Sequence, residues 1–400
     1  MGPRPPILCF SHLRWDFVWQ RPQQLMTRFA RDRRVYFIEE PVFEDAAGPA
    51  PDGAALRFDR APSGSPRATT SSGVTVVRPV CQDPGPGGGP VLDAAYARLV
   101  EALVDDEGLE DPVAWFYTPM LLPAIDRLRN VRIAYDAMDE LTLFRFAPAG
   151  LADREASLLR RAAITFAGGA SLGEAKARRH ARVRTFSSGV EVDHFRKALS
   201  PALPVPRDLE AWPVPRVGYV GVIDERIDYD LLREVAARRP GVTWAMVGPV
   251  VKVDRADLPV APNIAYLGQK AYATLPAYLK EFAACMMPFA LNDATRFISP
   301  TKTLEYMAAH RPIVSTPVTD VVRAFGEVVT IARDADAFVD AIDRALVEEP
   351  DQRRARIDRE EAVLRAHSWD AIAGAMDREM DAAFADVRWC FPLPPQRGRD

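Results

Sequence analysis

The chain has 400 residues, of which 48% are apolar, and a formal net charge of −4 at pH 7. This length predicts two or three domains, each able to bury a sizeable core. The slight negative charge argues against a dedicated nucleic-acid binder, because such a protein carries a strongly basic domain.

Cysteine usage and apolar runs both indicate the compartment. The four cysteines are far apart and include no C-x-x-C pair, so neither a disulfide framework nor a zinc site is predicted. The proline-rich start does not resemble a signal peptide, and no run of about 18 apolar residues could span a bilayer. We expect a cytoplasmic protein, at most in peripheral contact with the anionic inner face of a membrane through the basic cluster at residues 178–184.

The first half of the chain alternates strands and helices, which is typical of a doubly wound sheet. Strands are predicted at residues 7–10, 35–38, 74–77, 113–117, 132–136 and 164–167, and helices at residues 21–30, 92–105, 121–128 and 155–162. The rest of residues 44–90 is rich in Gly, Pro, Ala and Ser and predicts loops. The loop at residues 11–20 lacks G-x-G-x-x-G, so no nicotinamide cofactor is expected.

Two sets of residues in this half are candidates for chemistry. Ligands of a doubly wound sheet bind beyond the carboxyl ends of its strands, which places Thr118, Asp136, Asp139 and Glu140 near a cleft. Asp136 is the catalytic candidate among them. Trp stacks on sugar faces and Arg pairs with phosphate, so the first loop and the helix after it suit a sugar or a lipid-linked sugar. The predicted acceptor-binding residues are His12, Trp15, Arg21 and Gln23.

Residues 169–173 spell G-x-S-x-G between a predicted strand and a predicted helix, the pattern of a hydrolase nucleophile elbow. A serine hydrolase that uses Ser171 with Asp293 and His310 is therefore an alternative function. No oxyanion-hole glycine run precedes Ser171, and His310 fits better as the end of a helix.

The second half repeats the pattern after a proline-rich linker at residues 198–215. Strands are predicted at residues 217–220, 242–247, 264–267, 283–287, 313–314 and 328–331, and helices separate most of them. We therefore predict domains at residues 1–197 and 216–365, and a mobile tail at residues 387–400. Asp228 and Asp230 form a D-x-D pair, but they fit a helix cap and no metal is assigned.

Residues 296–316 give the clearest indication of a ligand-binding site. Ser299 is placed to cap a helix, and Pro300 fits its first position. The free amides, the helix dipole and Lys302 then form a site for phosphate, and Glu305 projects on the same side. A nucleoside diphosphate with its ribose would satisfy these groups. The alternative is a capped helix with a solvated Lys and Glu pair.

Residues 305–314, EYMAAHRPIV, resemble the second half of the donor-binding E-x7-E signature of GT-B glycosyltransferases, in particular the large retaining family four. Residues 188–195 resemble the segment that closes the first domain in that family. The first Glu of the signature is Phe297 here, and the helix-ending Gly is His310. The resemblance implies the α/β class, with two doubly wound Rossmann-like domains facing each other across a cleft, and a last helix, residues 366–386, that returns to the first domain.

The resemblance also implies a function. A hexose would move, with retention, from a nucleoside diphosphate sugar, expected to be a UDP-sugar, to a saccharide or lipid-linked acceptor in surface polysaccharide or glycoconjugate synthesis. The nucleotide sugar would be a co-substrate, and no cofactor is expected. Two alternatives are a nucleotide-sugar epimerase and an inert sugar-binding paralogue, the latter favoured by Phe297 and by Val222, which stands where the family has Arg.

The residue roles combine this resemblance with the strand-end and helix-terminus arguments above. Glu305 would hold the ribose hydroxyls, and residues 268–272 would lie beside the base. Asp293 and Thr295 could contact the sugar in place of the missing Glu. The predicted catalytic residues are Arg226, Lys302 and Asp136, and the predicted donor-binding residues are Gly221, Arg226, Asp293, Thr295, Ser299, Thr301, Lys302, Thr303 and Glu305.

Overall fold

The computed structural model describes residues 4–44, 57–58, 67–82, 89–145 and 147–385. The predicted tail at residues 387–400 and most of the loop-rich stretch before residue 67 lie outside the described residues. We refer to residues up to 197 as the first domain and to residues 216–365 as the second domain.

The first domain is built on an eight-stranded sheet whose strand order is β11-β10-β9-β8-β1-β2-β6-β5. All neighbouring strands are parallel except β5 and β6. Strands β3, β4 and β7 form a small separate sheet. In chain order the strands are β1 Ile7–Ser11, β2 Val35–Glu39, β3 Val42–Glu44, β4 Arg57–Phe58, β5 Arg67–Thr69, β6 Val74–Val77, β7 Pro79–Gln82, β8 Val113–Phe116, β9 Arg132–Ala137, β10 Ile164–Ala167 and β11 Val183–Thr185.

The described part of this domain contains five α-helices, α1 Arg21–Phe29, α2 Gly89–Asp106, α3 Leu151–Arg161, α4 Ala170–Ala177 and α5 Val192–Arg196. Every residue of β1 and β8 is buried, as expected for parallel strands that helices cover on both faces. The predicted helix at residues 121–128 is instead a 3₁₀ helix, Pro119–Ile125. Its interior Pro123 has no amide hydrogen to donate to an α-helical ladder.

The second domain is built on a six-stranded parallel sheet in the order β14-β13-β12-β15-β16-β17. Its strands are β12 Arg216–Val220, β13 Thr243–Val247, β14 Ile264–Gly268, β15 Ala284–Met287, β16 Ile313–Ser315 and β17 Thr330–Ile331. The remaining helices are α6 Arg207–Glu210, α7 Tyr229–Arg238, α8 Leu275–Lys280, α9 Lys302–Ala308, α10 Thr319–Phe325, α11 Ala335–Leu346, α12 Pro350–Arg365 and α13 Trp369–Ala385. The predicted α/β class with two doubly wound sheets is confirmed.

Strand order reverses at β1 in the first sheet and at β12 in the second, and crevices open beyond the carboxyl ends of strands at such points. The loops after β1 and β12 therefore border the space between the domains. Contacts on either side of this space join the two halves. The Ser171 amide donates to Asp320 (3.1 Å), and the Gln269 side chain donates to the Phe17 carbonyl (2.5 Å).

Helix α13 packs on the first domain although it follows the second in sequence. Trp369, Met376 and Met380 are buried in the same apolar cluster as residues of β1 and β8. Asp377 of the same helix forms an ion pair with the buried Arg33. The last helix thus contributes to the core of the first domain.

We expect Met376→Ala to lower the free energy of unfolding by about 2–5 kcal/mol, because it leaves a cavity in a fully buried site. Urea unfolding followed by tryptophan fluorescence measures this loss. Arg378→Ala, on the exposed side of the same helix, is the matched control. Equal unfolding midpoints for the two variants would show that α13 does not stabilise the core.

Candidate functional site

A cavity of about 610 Å³ lies between the two domains. The first domain lines it with the loop after β1, at residues 15–21, and with Met138 and Asp139 after β9. The second domain contributes residues 220–222, residues 247–249, residues 269–272 and residues 298–302. These segments follow the carboxyl ends of strands, so the cavity occupies the place where doubly wound sheets bind ligands.

Lys302 and Glu305 are the charged residues of α9 that line this cavity. Both are half-buried, and neither forms a hydrogen bond or ion pair with any residue that the structure describes. The Lys302 ammonium lies 5.2 Å from the ring centroids of both Tyr219 and Phe289. Two opposite charges therefore face the cavity without a hydrogen-bonding partner in the described part of the chain.

Partial burial shifts both charged groups toward their neutral forms. Burial raises the pKa of Glu305 to about 7. Burial, together with repulsion from Arg226, lowers the pKa of Lys302 to about 8. A bound anion at Lys302 and hydroxyl donors at Glu305 would reverse these shifts, because each favours the charged form.

Helix α9 is fixed at its centre and its end. The Val220 amide donates to the Tyr306 hydroxyl over 2.7 Å, which ties the helix to β12. At the C-terminus the Arg311 amide donates to the Tyr306 carbonyl (3.0 Å) and the His310 amide donates to the Met307 carbonyl (2.8 Å), which is a Schellman motif. His310 has φ +51°, the left-handed conformation that usually needs glycine.

The start of α9 differs from the prediction. The helix begins at Lys302, and its N-cap residue Thr301 has helical angles and no side-chain cap bond. Ser299 therefore does not cap the helix, and this prediction is wrong. A 3₁₀-type bond from the Thr303 amide to the Pro300 carbonyl (3.2 Å) tightens the entry and leaves Ser299 before the first turn. Ser299 and Thr301 still line the cavity.

Arg226 brings a second cation to the cavity, from the loop after β12. Asp224 holds its guanidinium in two hydrogen bonds, Nε to Oδ1 at 2.9 Å and Nη2 to Oδ2 at 2.8 Å. Burial opposes the charge of Arg226, but Asp224 outweighs this effect and the pKa of Arg226 is raised. Sequence reasoning missed Asp224, although an acid two residues before an Arg in a loop was a usable signal.

Gly221 allows the loop after β12 to approach α9. Its φ is +147°, and a Cβ atom at this position would lie 2.8 Å from Cε of Lys302. Gly248 packs against it, since a Cβ there would lie 1.8 Å from the Gly221 carbonyl oxygen. Both glycines line the cavity, and a side chain at either position would disturb the wall beside Lys302.

Residues 214–348 match the family model of Glycosyl transferases group 1. The match includes all six strands of the second domain's sheet. Over 138 residues the chain is 26% identical to TuaH of Bacillus subtilis (strain 168), named as a teichuronic acid biosynthesis glycosyltransferase. That match covers 34% of this chain and 34% of TuaH, so it spans about a third of the length of that relative.

Solved structures of similar fold extend over both domains of the chain. Sucrose-phosphate synthase of Thermosynechococcus elongatus superposes with a TM-score of 0.69 at 16% identity, over 96% of this chain and all of that one. The E. coli trehalose-6-phosphate protein solved with UDP-2-fluoro glucose superposes with a TM-score of 0.64 at 13% identity, over 94% of this chain and 98% of that one. The predicted GT-B fold is confirmed.

Three of the predicted donor-binding residues do not line the interdomain cavity. Asp293 is exposed at the start of a 3₁₀ turn. Thr295 is buried, and its hydroxyl donates to the Ala290 carbonyl over 2.5 Å. Thr303 is buried on the inner face of α9, where its hydroxyl contacts the sulfur of Met287 (3.4 Å). These three predictions are corrected.

Asp136, the predicted catalytic carboxylate, is fully buried behind the cavity wall. It forms a two-bond ion pair with Arg21, Nε to Oδ2 and Nη2 to Oδ1, both 2.9 Å. Arg21 also donates to the Phe186 carbonyl (2.8 Å). The pair satisfies both groups within the first domain, so Asp136 is not a cleft residue and Arg21 is not free to bind an acceptor.

The other predicted acceptor residues differ in position. Gln23 is buried, donates to the Trp15 carbonyl (3.1 Å) and accepts from the Gln20 amide (3.1 Å). Its side chain therefore stabilises the loop and is not placed to bind an acceptor. His12 is half-buried and is not part of the lining, and burial together with the charge of Lys252 lowers its pKa to about 4. Trp15 lines the cavity, and its role in acceptor binding stays a prediction.

Phe297 faces away from the cavity and packs against the apolar core of the first domain. This contact explains why the position of the family's first glutamate carries no polar function here. A sugar contact at this point of the second domain would have to come from another residue.

The serine hydrolase alternative is wrong, because its three residues do not meet. The Ser171 amide is bonded to Asp320, the His310 side chain is bonded to Glu361 (3.0 Å), and Asp293 is exposed elsewhere. Asp228 of the D-x-D pair caps α7 by accepting from the Leu231 amide (2.8 Å). The described part of the chain contains no group of three or more His, Cys, Asp or Glu side chains placed to hold a metal ion.

The described residues also include no helix that is long and apolar enough to cross a bilayer. The basic cluster at residues 178–184 is partly neutralised, since Arg179 pairs with Glu155 (2.6 Å) and Arg184 with Glu379 (2.8 Å). Peripheral membrane contact through this cluster stays a prediction.

We expect Glu305→Gln to stabilise the ligand-free protein by roughly 1–3 kcal/mol at pH 8. The raised pKa of Glu305, about 7 against 4.5, means that ionisation opposes folding above pH 4.5, fully so above pH 7. The gain should therefore shrink as the pH falls from 7 to 4.5. Thermal unfolding at pH 8 and at pH 4.5 measures this difference in stability, with the exposed Glu327→Gln as control. A pH-independent difference would contradict the burial of a charged Glu305.

Proposed function

We propose that this chain transfers a hexose from a nucleoside diphosphate sugar, with uridine diphosphate as the carrier, to a saccharide or lipid-linked saccharide acceptor. One observation carries the proposal. Lys302 and Glu305, one helical turn apart, present opposite charges to a cavity between two doubly wound domains, and no described residue forms a hydrogen bond or ion pair with either. A cation and a hydroxyl acceptor at this spacing match a diphosphate joined to a ribose.

Lys302 and Arg226 would act on the leaving group. Departure of the nucleoside diphosphate builds negative charge on its outer phosphate, and fixed cations in a cavity sheltered from water stabilise that charge. Arg226 is fixed for this role by Asp224, and Lys302 is fixed by the buried face of α9. Neither cation has to reorganise when the bond to the sugar breaks.

The nucleoside end would lie toward Glu305 and Tyr272. Tyr272 lines the cavity, and its ring stacks on His194 with centroids 4.4 Å apart. Its hydroxyl donates to Glu191 over 2.8 Å, so the ring is held in place. A fixed aromatic ring beside a ribose-binding carboxylate suits a stacked base.

The names of similar proteins support the finer points of the proposal. TuaH is named for teichuronic acid biosynthesis, which supports a role in surface polysaccharide or glycoconjugate synthesis. The E. coli structure contains UDP-2-fluoro glucose, which supports a uridine carrier. Retention at the anomeric carbon follows the family resemblance alone.

Two variants should separate the diphosphate site from the ribose site. Titration calorimetry with UDP and with inorganic pyrophosphate measures both. We expect Lys302→Ala to weaken binding of both ligands about 10- to 100-fold, because it removes a charge-assisted hydrogen bond. Glu305→Ala should weaken UDP binding about tenfold or more and leave pyrophosphate binding unchanged.

The exposed Lys197→Ala is the control and should bind both ligands as the unmodified chain does. Undiminished UDP binding by Glu305→Ala would refute the proposed site. Incubation of the unmodified chain with UDP-sugars tests the alternatives. Conversion of the donor to its epimer would indicate an epimerase, and binding without turnover would indicate an inert paralogue.

A further inference from the structure

Three carboxylates lie close together at the carboxyl end of β9, and two of them are held by buried cations. Asp136 is bonded to Arg21, as described above. Glu140 accepts a hydrogen bond from the fully buried Lys176 ammonium over 2.7 Å. The third, Asp139, is half-buried, lines the interdomain cavity and has no hydrogen bond or ion pair with any residue described by the structure. Its carboxylate is therefore available to a ligand in the cavity.

The backbone around Asp139 is fixed from several sides. The ion pairs of Asp136 and Glu140 anchor the segment before and after it. Gly168, after β10, packs closely against the same segment, since a Cβ atom there would lie 2.9 Å from the Met138 carbonyl oxygen. A ligand that binds Asp139 therefore does not have to order the chain first, which lowers the cost of binding.

The loop that carries Asp139 meets the loop after β12 across the cavity. The Arg145 amide of the first loop donates to the Glu225 side chain of the second over 3.1 Å. The Arg226 guanidinium lies 5.7 Å from the centroid of the Phe144 ring. These contacts place the carboxyl end of β9 opposite the part of the second domain that supplies Arg226 to the cavity.

Interactions among the charged groups give their order along the cavity, because such interactions weaken with distance. Burial raises the pKa of Tyr272, and the charge of Glu305 adds to this rise. Burial raises the pKa of Glu305 to about 7, and the charge of Lys302 opposes it. Burial also raises the pKa of Asp139, and here the charges of Arg226 and Lys302 oppose the rise. The cavity therefore runs from Tyr272 past Glu305 and the two cations to Asp139.

This order places the sugar of the donor beside Asp139. The nucleoside would lie at Tyr272 and the diphosphate at Lys302 and Arg226, so the group beyond the diphosphate is the sugar. Asp139 would not bind the diphosphate itself, because the two negative charges repel. A carboxylate instead accepts strong hydrogen bonds from hydroxyl groups. In the second domain, Phe297 packs away from the cavity and leaves this contact to another residue.

We propose that Asp139 accepts a hydrogen bond from a hydroxyl group of the donor hexose, and that it selects a neutral sugar over a uronic acid. The inference rests on the proposed function, which supplies the diphosphate that carries the hexose. A uronic acid would bring a second carboxylate into a half-buried site that already holds one, and like charges repel there. Asp139 is thus a specificity-determining residue, and the first domain supplies it.

The test compares donor binding in the absence of an acceptor, by titration calorimetry with the full chain at pH 8. The ligands are UDP, UDP-glucose, UDP-galactose, UDP-N-acetylglucosamine and UDP-glucuronate, and each affinity for a nucleotide sugar is divided by the affinity for UDP. We expect Asp139→Ala to lower this ratio about 10- to 100-fold for the neutral sugar that binds best, because it removes a charge-assisted hydrogen bond. Asp139→Asn can still accept a weaker bond and should lower the ratio about three- to tenfold.

The uronic acid separates a sugar contact from a structural role. Asp139→Asn should raise the ratio for UDP-glucuronate about three- to tenfold, because it removes the repulsion between two carboxylates. A structural role would move the neutral and acidic ratios in the same direction. The control is Asp153→Asn, an exposed carboxylate on α3 outside the cavity lining. It should bind every ligand within about twofold of the unmodified chain, because salt screens an exposed charge outside the site.

Unchanged ratios in Asp139→Ala would overturn the inference, and so would equal weakening of UDP and of its sugars by both variants. A fall of the UDP-glucuronate ratio together with the neutral one, or a preference of the unmodified chain for the uronic acid, would contradict the proposed selection. Binding of UDP without measurable binding of any of the four nucleotide sugars would also count against it. Failure of the unmodified chain to bind UDP would instead refute the proposed function.

Discussion

The Lys302 ammonium and the Glu305 carboxylate, half-buried and without a hydrogen bond or ion pair to any described residue, are the constraint on which this structure depends. Charges in a crevice lose hydration, and the raised pKa of Glu305 and the lowered pKa of Lys302 express that cost. A fold keeps such groups only when the surrounding structure stabilises their positions. Here the buried face of α9, the bond from Val220 to Tyr306 and the Schellman motif at His310 do so.

The two domains contribute different chemistry to the same cavity. The second domain supplies the cations and Glu305, which suit a nucleoside diphosphate. The first domain supplies aromatic rings and Asp139, which suit a neutral sugar. Contacts such as Ser171 to Asp320 and Gln269 to Phe17 hold the two walls together, so that donor and acceptor groups face each other. Proximity of this kind supplies a large part of the rate enhancement in transfer reactions.

The sequence predicted most of the fold because buried parallel strands appear as continuous apolar runs. Individual side-chain directions were harder. Thr303 was assigned to the donor site, although it lies four residues before the core residue Met307 and therefore shares its inner face. Helical periodicity alone could have excluded it. In contrast, Lys302 and Glu305 line the cavity, because they lie off that apolar stripe, and their roles in donor binding stay predictions.

Asp136 and Asp139 show what the sequence could not reveal. Both follow the same strand, and the choice between them depends on Arg21, which lies 115 residues from Asp136. A long-range ion pair leaves no local signal, so the carboxylate that pairs internally and the one that faces the cavity look alike in sequence. The same holds for Phe297, whose contact with the first-domain core depends on how the domains meet.

A crystal structure of the chain with UDP bound tests the central claim most directly. We expect diphosphate oxygens within hydrogen-bonding distance, about 2.7–3.2 Å, of the Lys302 ammonium and the Arg226 guanidinium, and the ribose hydroxyls bonded to the Glu305 carboxylate. UDP bound outside the interdomain cavity, or inside it with Glu305 far from the ribose, would contradict the account.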